Sequence, residues 1–391
     1  MGEGTVEAMR TVYLDCNSTT PLHPLVAEAL LEAHREGYLN PASQHRPGQL
    51  ARQALERSRT GVIALLGGKS FGMRSDRLVF TSGGTEANNL LLLGLAAQKA
   101  DQQILVSAIE HPSVLAAAEH LRRLGRDVKL IPVDQTGQVR LDALEHLLER
   151  PTSLISVMFA NNETGVLQPL TEVIELAHSR GVLVHTDAVQ AVGKVPVDFA
   201  KLRVDALTFT PHKFYGPRGI GGLLLKAEVG LEPILFGGFQ QAGLRPGTED
   251  VALAVGCHRA LELCLENLSE QQARLKVLRD RFLTRLQAGL GDGFLVNGSA
   301  AQLLPNTLNL AFPGVDRQAL LLAADFAGLA ISTGSACASG SSEPSPVLQA
   351  MGLAPEVIES SVRISFGTRT EQSDLDWAGE ELCRIVNGLR K

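Results

Sequence analysis

Cysteine is scarce in this chain of 391 residues, which contains only five. The number is odd, no two cysteines form a C-x-x-C pair, and their spacing matches no metal-binding pattern. A disulfide framework and a metal site are therefore not expected, and the thiols are predicted to be free. The five are Cys16, Cys257, Cys264, Cys337 and Cys383. Cys257 and Cys264 stand seven apart in an apolar helical stretch, which favours buried, inert side chains.

Long hydrophobic runs are also absent. No stretch approaches the roughly 18 residues that span a bilayer, and residues 1–10 lack the apolar segment of about seven residues typical of a secretory signal. The net charge of −6 gives no electrostatic reason to expect a nucleic-acid partner. We therefore expect a cytoplasmic protein that binds neither nucleic acid nor membrane.

Short apolar runs alternate with amphipathic helical patterns along the first two thirds of the chain. This order predicts an α/β fold with a mainly parallel seven-stranded sheet flanked by helices. The last two strands could instead pair antiparallel, because no helix lies between them. The predicted strands are 77–81, 103–108, 128–133, 154–159, 182–185, 206–209 and 221–225, and the helices between them are 88–99, 113–124, 141–149 and 170–179.

The length favours a large domain with a smaller one attached. We predict a large domain over residues 20–250 and a small C-terminal α/β domain formed by residues 1–19 and 251–391. The small domain would contain a long helical region, 251–290, and strands near 307–311 and 362–366. Residues 332–344, rich in glycine and serine, contain Cys337 and are predicted to form a mobile loop.

Chemistry-bearing residues follow several of the predicted strands. Lys213 follows the strand at 206–209, while Asp187 and Gln190 follow the strand at 182–185. Parallel α/β sheets bind ligands at the carboxyl ends of their strands, so these groups should converge. An amine, a carboxylate and an amide are what pyridoxal phosphate (PLP) requires: a lysine for an imine, a partner for the pyridine nitrogen and a donor to the ring oxygen. This combination predicts a PLP enzyme.

Three other strand ends carry candidate ligands. Gly84 and Thr85 lie between a strand and an apolar helix, where backbone N–H groups could hold a phosphate, although a plain glycine turn with Thr85 as the helix N-cap has the same pattern. His111 follows the next strand, where a single histidine could equally be structural. Asn162 lies in an Asn-Asn-Glu-Thr-Gly segment that could bind a ring or a carboxylate, or simply turn the chain.

Taken in order, these motifs resemble the cysteine desulfurases of the NifS/IscS-like branch, which are PLP enzymes of fold type I in the class V aminotransferase family. The resemblance covers nearly the whole chain. Besides the segments named above, it rests on Tyr13-Leu14-Asp15, Asn40-Pro41-Ala42-Ser43, Gly243-Leu244-Arg245-Pro246-Gly247-Thr248-Glu249, residues 332–337 and Val362-Arg363-Ile364-Ser365.

The resemblance implies a role for each matching residue. Lys213 would hold PLP covalently, Asp187 would pair with the pyridine nitrogen and Gln190 would bind the ring hydroxyl. His111 would stack on the ring and take part in proton transfer. The implied phosphate ligands are Thr85, with Gly84 beside it, Thr210, His212 and, from a second subunit, Thr248, so a homodimer is implied. Asn162 and Arg363 would hold the substrate carboxylate, although Arg363 alone could be a surface ion pair.

Cys337 distinguishes a desulfurase from its aminotransferase relatives, because a thiol in a small-residue loop suits a nucleophile that must move. The resemblance implies conversion of L-cysteine to L-alanine, with sulfur held on Cys337 as a persulfide and passed to an acceptor or iron–sulfur scaffold protein. Cys337 could also ligate a cluster during transfer. Alternatives are a selenocysteine lyase, another class V aminotransferase, or a cofactor-free scaffold in a sulfur-transfer complex.

Two positions depart from the family pattern. Pro211 replaces a small residue before His212 and Lys213, and its missing N–H could weaken one phosphate contact. Cys16 occupies a position usually held by asparagine, where a tolerated small residue and a functional thiol are both conceivable.

Overall fold

A computed structural model describes residues 10–97, 101–298, 302–334 and 343–390 of the chain. Cys337 therefore lies outside the described residues. The helices are α1 (Pro24–Arg35), α2 (Arg46–Leu65), α3 (Gly84–Ala96), α4 (Pro112–Arg123), α5 (Leu141–Leu147), α6 (Leu170–His178), α7 (Phe199–Leu202), α8 (Val251–Glu266), α9 (Leu268–Leu290), α10 (Arg317–Phe326), α11 (Pro346–Ala350), α12 (Pro355–Glu359) and α13 (Gln372–Leu389). The strands are β1 (Val12–Tyr13), β2 (Arg77–Thr81), β3 (Gln103–Ser107), β4 (Val128–Ile131), β5 (Thr152–Ser156), β6 (Leu183–Asp187), β7 (Ala206–Phe209), β8 (Gly221–Leu225), β9 (Leu295–Asn297), β10 (Thr307–Ala311), β11 (Leu329–Ala330) and β12 (Ser361–Ser365).

A seven-stranded sheet in the order β2-β8-β7-β6-β5-β3-β4 forms the centre of the fold. β8 runs antiparallel to both of its neighbours, and the remaining pairs are parallel. The predicted fold class is confirmed, and the last two predicted strands take the antiparallel alternative. β3, β5, β7 and β8 are buried along their whole length, as expected for strands covered by helices on both faces.

A second, smaller body of structure packs around the three-stranded sheet β9-β10-β12. Its separate hydrophobic cluster contains Val12 and Leu14 from the N-terminal segment together with side chains of α9, α10 and α13. β1 pairs with β11, so the first described residues join this body. The predicted long helical region is divided at Asn267, and the side chains of α8 belong to the large core, where α8 packs on α1 and α2. The domain limits at residues 19/20 and 250/251 stay predictions.

Cys257 is fully buried in the large core, and Cys264 packs partly buried against the same core. Burial raises the pKa of the Cys264 thiol to about 12. Both cysteines therefore behave as small apolar side chains. Among the described residues, no helix is long and apolar enough to cross a membrane.

Candidate active site

A cavity of about 270 Å³ opens at the carboxyl ends of the parallel strands, where the two bodies of structure meet. Ten of the twelve predicted site residues line it: Gly84, Thr85, His111, Asn162, Asp187, Gln190, Thr210, His212, Lys213 and Arg363. The structure therefore brings these strand ends together at one cavity. The lining also includes residues that it did not assign a role, namely Asn17, Ser18, Asn88, Ser113, Met158, Ala160, Val189 and Gly334.

Lys213 reaches the cavity from a short 3-10 turn, Pro211–Lys213, directly after β7. Pro211 stands at the first position of this turn, where a missing N–H is tolerated. The Lys213 Nζ donates hydrogen bonds to the carbonyl oxygens of Asn17 (2.7 Å) and Ser18 (2.5 Å). The amine is thus held at the junction between the sheet and the N-terminal segment.

Asp187 ends β6 and is buried. Its Oδ1 accepts from the backbone N–H of Val189 at 3.0 Å, and its Oδ2 accepts from the Asn88 side chain at 2.7 Å. These bonds fix the orientation of the carboxylate. An oriented, buried carboxylate can hold a proton on a basic ring nitrogen.

Asn88, in the second turn of α3, connects this carboxylate to the histidine across the cavity. Its Nδ2 donates to Asp187 and also to Ser113 Oγ at 2.9 Å. Ser113 Oγ lies 2.8 Å from His111 Nδ1, which also accepts from the Ser113 backbone N–H at 3.1 Å. Because Nδ1 accepts, a neutral His111 ring carries its proton on Nε2.

The strand end next to His111 carries a buried glutamate. Glu110 Oε1 accepts from the Ser107 hydroxyl and from the backbone N–H of Met158, both at 2.6 Å. Burial, together with the nearby charge of Asp187, raises the Glu110 pKa to about 8. Glu110 therefore contributes a largely protonated carboxyl that holds the Met158 wall of the cavity.

The start of α3 provides an anion-binding end to the cavity. No side chain in the described part of the chain caps this helix, whose N-cap is Gly83, so its first N–H groups are available to a ligand. A Cβ on Gly84 would lie 3.0 Å from the Val189 side chain, and a Cβ on Gly221 would lie 2.5 Å from the Gly83 backbone. Glycine is therefore required at position 221, and a Cβ at position 84 would force the Val189 side chain to shift.

Two of the predicted phosphate ligands already have partners. The Thr210 hydroxyl donates to the Ile220 carbonyl at 2.9 Å, and His212 Nδ1 lies 3.1 Å from Thr19 Oγ1. Burial, with a contribution from the Lys213 charge, lowers the His212 pKa to about 4. His212 is therefore a neutral ring at physiological pH, and its phosphate role stays a prediction.

Arg363 and Asn162 form the opposite wall. The Arg363 guanidinium is buried, pairs with Asp15 Oδ1 at 2.6 Å, and donates to the carbonyl oxygens of Asn162 (3.1 Å) and Gly334 (3.3 Å). The alternative of a surface ion pair is thus wrong for Arg363. Within the described residues, Arg363 Nε and Asn162 Oδ1 are buried without a hydrogen-bond partner. Such orphaned polar atoms are costly and indicate a site that a polar ligand completes.

Two predicted site residues are not at this cavity. Thr248 is exposed on the surface, beside Leu39, Asn40 and Ala252. Cys337 lies outside the described residues, and the nearest described residue on its N-terminal side, Gly334, lines the cavity. The roles of Thr248 and Cys337 stay predictions.

Comparisons with known proteins agree with the site. A family model described as aminotransferase class-V matches residues 12–377. The chain therefore belongs to the aminotransferase class-V family, whose members depend on PLP. Within that family, its relatives are cysteine desulfurases of the IscS/NifS-like group.

Individual relatives cover nearly the full chain. The cysteine desulfurase IscS of Dictyoglomus turgidum is 39% identical over 97% of this chain and 96% of its own length. A cysteine desulfurase of Gluconacetobacter diazotrophicus is 38% identical, covering 98% of this chain and 95% of that protein. Among solved structures, a NifS-like protein is 33% identical with a TM-score of 0.90, covering 97% of this chain and 100% of that chain. A NifS-like protein from Rickettsia africae is 31% identical with a TM-score of 0.87 over the same shares.

Proposed function

We propose that this protein is a PLP-dependent cysteine desulfurase that converts L-cysteine to L-alanine and places the sulfur on Cys337 as a persulfide. The observation that supports it most strongly is the convergence of Lys213, the buried Asp187 and the buried Arg363 on one cavity. The cavity fits PLP by its own chemistry. It provides an amine, a fixed carboxylate, the open N-terminus of α3 and two orphaned polar atoms.

When bound, PLP supplies an electron-withdrawing ring that stabilises negative charge on the substrate α carbon. Asp187 holds the proton on the ring nitrogen that makes the ring electron-poor. Arg363 and Asn162 orient the substrate carboxylate, Arg363 through its charged guanidinium. Lys213 removes the α proton, and His111, with a proton on Nε2, is placed to assist proton transfer.

Cys337 then takes the sulfur. Its thiolate forms an S–S bond with the substrate sulfur as the bond between that sulfur and the substrate Cβ breaks. The three-carbon product gains protons to become alanine, so cysteine and a thiol become alanine and a persulfide without an external oxidant. We propose that the persulfide serves a sulfur-acceptor protein of iron–sulfur cluster assembly, and that Cys337 can contact the nascent cluster during transfer.

The reaction products test the activity. The purified protein with PLP, L-cysteine and a thiol reductant should release alanine and sulfide in equal amounts, without any added keto acid. Amino-acid analysis and a sulfide assay measure both products. Product formation that requires a keto acid would indicate a transaminase, and a strong preference for selenocysteine would indicate a lyase. Protein stripped of PLP serves as the control and should release neither product.

A homodimer is part of the proposal. Leu235, Phe236 and Phe239 are exposed, Phe236 by 88% and Phe239 by 95% of their surface. Gly237, between them, lies against Pro246, two residues from Thr248. Exposed aromatic side chains in a cluster are typical of a protein interface. A second copy of this chain bound here would cover them and could bring Thr248 to the partner's cavity.

Diluting the enzyme should therefore release PLP in step with dissociation of the dimer. Sedimentation at decreasing concentration, followed in the PLP absorption band, measures both events. Phe239→Asp should make dimer dissociation and PLP release occur at higher protein concentration. Phe326 is an exposed aromatic residue on the small body, and Phe326→Asp should change neither event. A verified monomer that retains its full complement of PLP would contradict the proposed role of Thr248.

A further inference from the structure

Lys194 is a buried lysine for which the reaction described above has no use. It follows β6 by seven residues and is almost fully enclosed. Its Nζ donates to Asn17 Oδ1 at 2.8 Å and to Gln190 Oε1. Burial, reinforced by the charges of Lys213 and Arg363, lowers the Lys194 pKa to about 7. An enclosed amine is costly to maintain, so its contacts require an explanation.

The contact with Gln190 determines which end of that amide faces the cavity. An amine that donates requires an acceptor, so the Gln190 oxygen is held toward Lys194. The Gln190 Nε2 is then turned the other way, where it donates to the Asn17 carbonyl at 2.9 Å. Gln190 lines the cavity, and a ring oxygen there needs a donor. Reversal of the amide would present an oxygen instead.

The contact with Asn17 has the same effect on a second amide. Because the Asn17 Oδ1 faces Lys194, its Nδ2 donates to the Asn162 carbonyl (3.2 Å) and to Thr307 Oγ1 (2.9 Å). These bonds fix Asn17 between the sheet and the small body. The Asn17 backbone carbonyl then accepts from Lys213 Nζ and from Gln190 Nε2. One buried amine thus orders the partners of two predicted cofactor ligands.

We propose that Lys194 is a positioning residue that fixes the donor end of Gln190 toward the cofactor ring. The inference rests on the proposed PLP site and concerns a residue that never touches the substrate.

A double-mutant cycle tests the proposal. PLP dissociation constants are measured by absorbance titration for the wild type, Lys194→Met, Gln190→Ala and the double variant. Each single variant should weaken PLP binding about tenfold, the effect of one lost hydrogen bond in a buried site. The double variant should weaken it by about the same factor, because both changes remove the same oriented donor. Both single variants should also shift the PLP absorption maximum in the same direction.

The possible outcomes separate this inference from the proposed function. A double variant weakened about a hundredfold, which means independent effects, would overturn the positioning role, as would unchanged binding by Lys194→Met. A wild-type protein that does not bind PLP would overturn the proposed function and this inference together. Lys226→Met is the matched control, because Lys226 pairs with Asp205 away from the cavity. This variant should bind PLP as the wild type does. If Lys194→Met does not fold, Lys194→Gln takes its place in the same cycle.

Discussion

Lys213→Ala should abolish covalent attachment of PLP and lower the turnover of L-cysteine by about 1,000-fold or more, since it removes both the imine-forming amine and the proton acceptor. The fold should persist, because the Lys213 side chain is only partly buried and contacts two backbone carbonyls rather than the hydrophobic core. Borohydride reduction of the wild type followed by peptide mapping should place the PLP adduct on Lys213. The same treatment of Lys213→Ala should give no adduct.

The matched control is Lys201→Ala, which removes an exposed lysine paired with Asp198 on the surface. Its adduct and turnover should equal those of the wild type, because an exposed ion pair contributes little to stability. A PLP adduct on another lysine, with turnover retained in Lys213→Ala, would show that the assignment of Lys213 is wrong.

The strands that frame this site were predictable because their local patterns and their burial agree. β2, β7 and β8 have the predicted limits, and each is a run of mostly apolar residues that ends at a turn. The convergence of Lys213, Asp187, His111 and Asn162 followed from the prediction of β7, β6, β3 and β5, since the carboxyl ends of parallel strands share one edge.

The start of α3 was predicted four residues too late, at Asn88 instead of Gly84. Glycine disfavours a helix by about 1 kcal/mol relative to alanine, so Gly83-Gly84 suggested a turn. Glycine at position 84 has a tertiary reason, because a Cβ there would force the Val189 side chain to shift. No pattern within the helix itself carries that information.

The supporting residues were missed for a related reason. Asn88 bonds to a carboxylate 99 positions away, and Lys194 bonds to an asparagine 177 positions away. Such contacts arise only when α3, β6 and the N-terminal segment are packed together. The position of Asn88 offered a weak signal for a supporting role in the site. On a helix that starts at Gly84, Asn88 lies one turn further along, on the same face, and it lines the cavity. A phosphate-binding role for Thr248 would require a second chain, whose cavity Thr248 would reach.

Cys337→Ser should retain the PLP absorption band and lose both persulfide formation and sulfide release from L-cysteine. The reason is that the residues proposed to bind the cofactor and the substrate carboxylate, Lys213, Asp187 and Arg363, remain, while the proposed sulfur nucleophile is removed. Mass spectrometry after a brief cysteine pulse should find the added sulfur on the wild-type peptide that carries Cys337. The PLP spectrum of the variant should still change when cysteine is added, because the steps before sulfur transfer are preserved.

Cys16 provides the matched control, since it lies next to the cavity residue Asn17. Its thiol is buried against Gly367, and burial, the largest cause, raises its pKa to about 12. Almost none of it is ionised at neutral pH, and a buried thiol cannot hand sulfur to an acceptor. Cys16→Ser should therefore form the persulfide and release sulfide at close to the wild-type rate. Added sulfur found on the Cys16 peptide alone, with activity retained in Cys337→Ser, would assign the nucleophile to Cys16 instead.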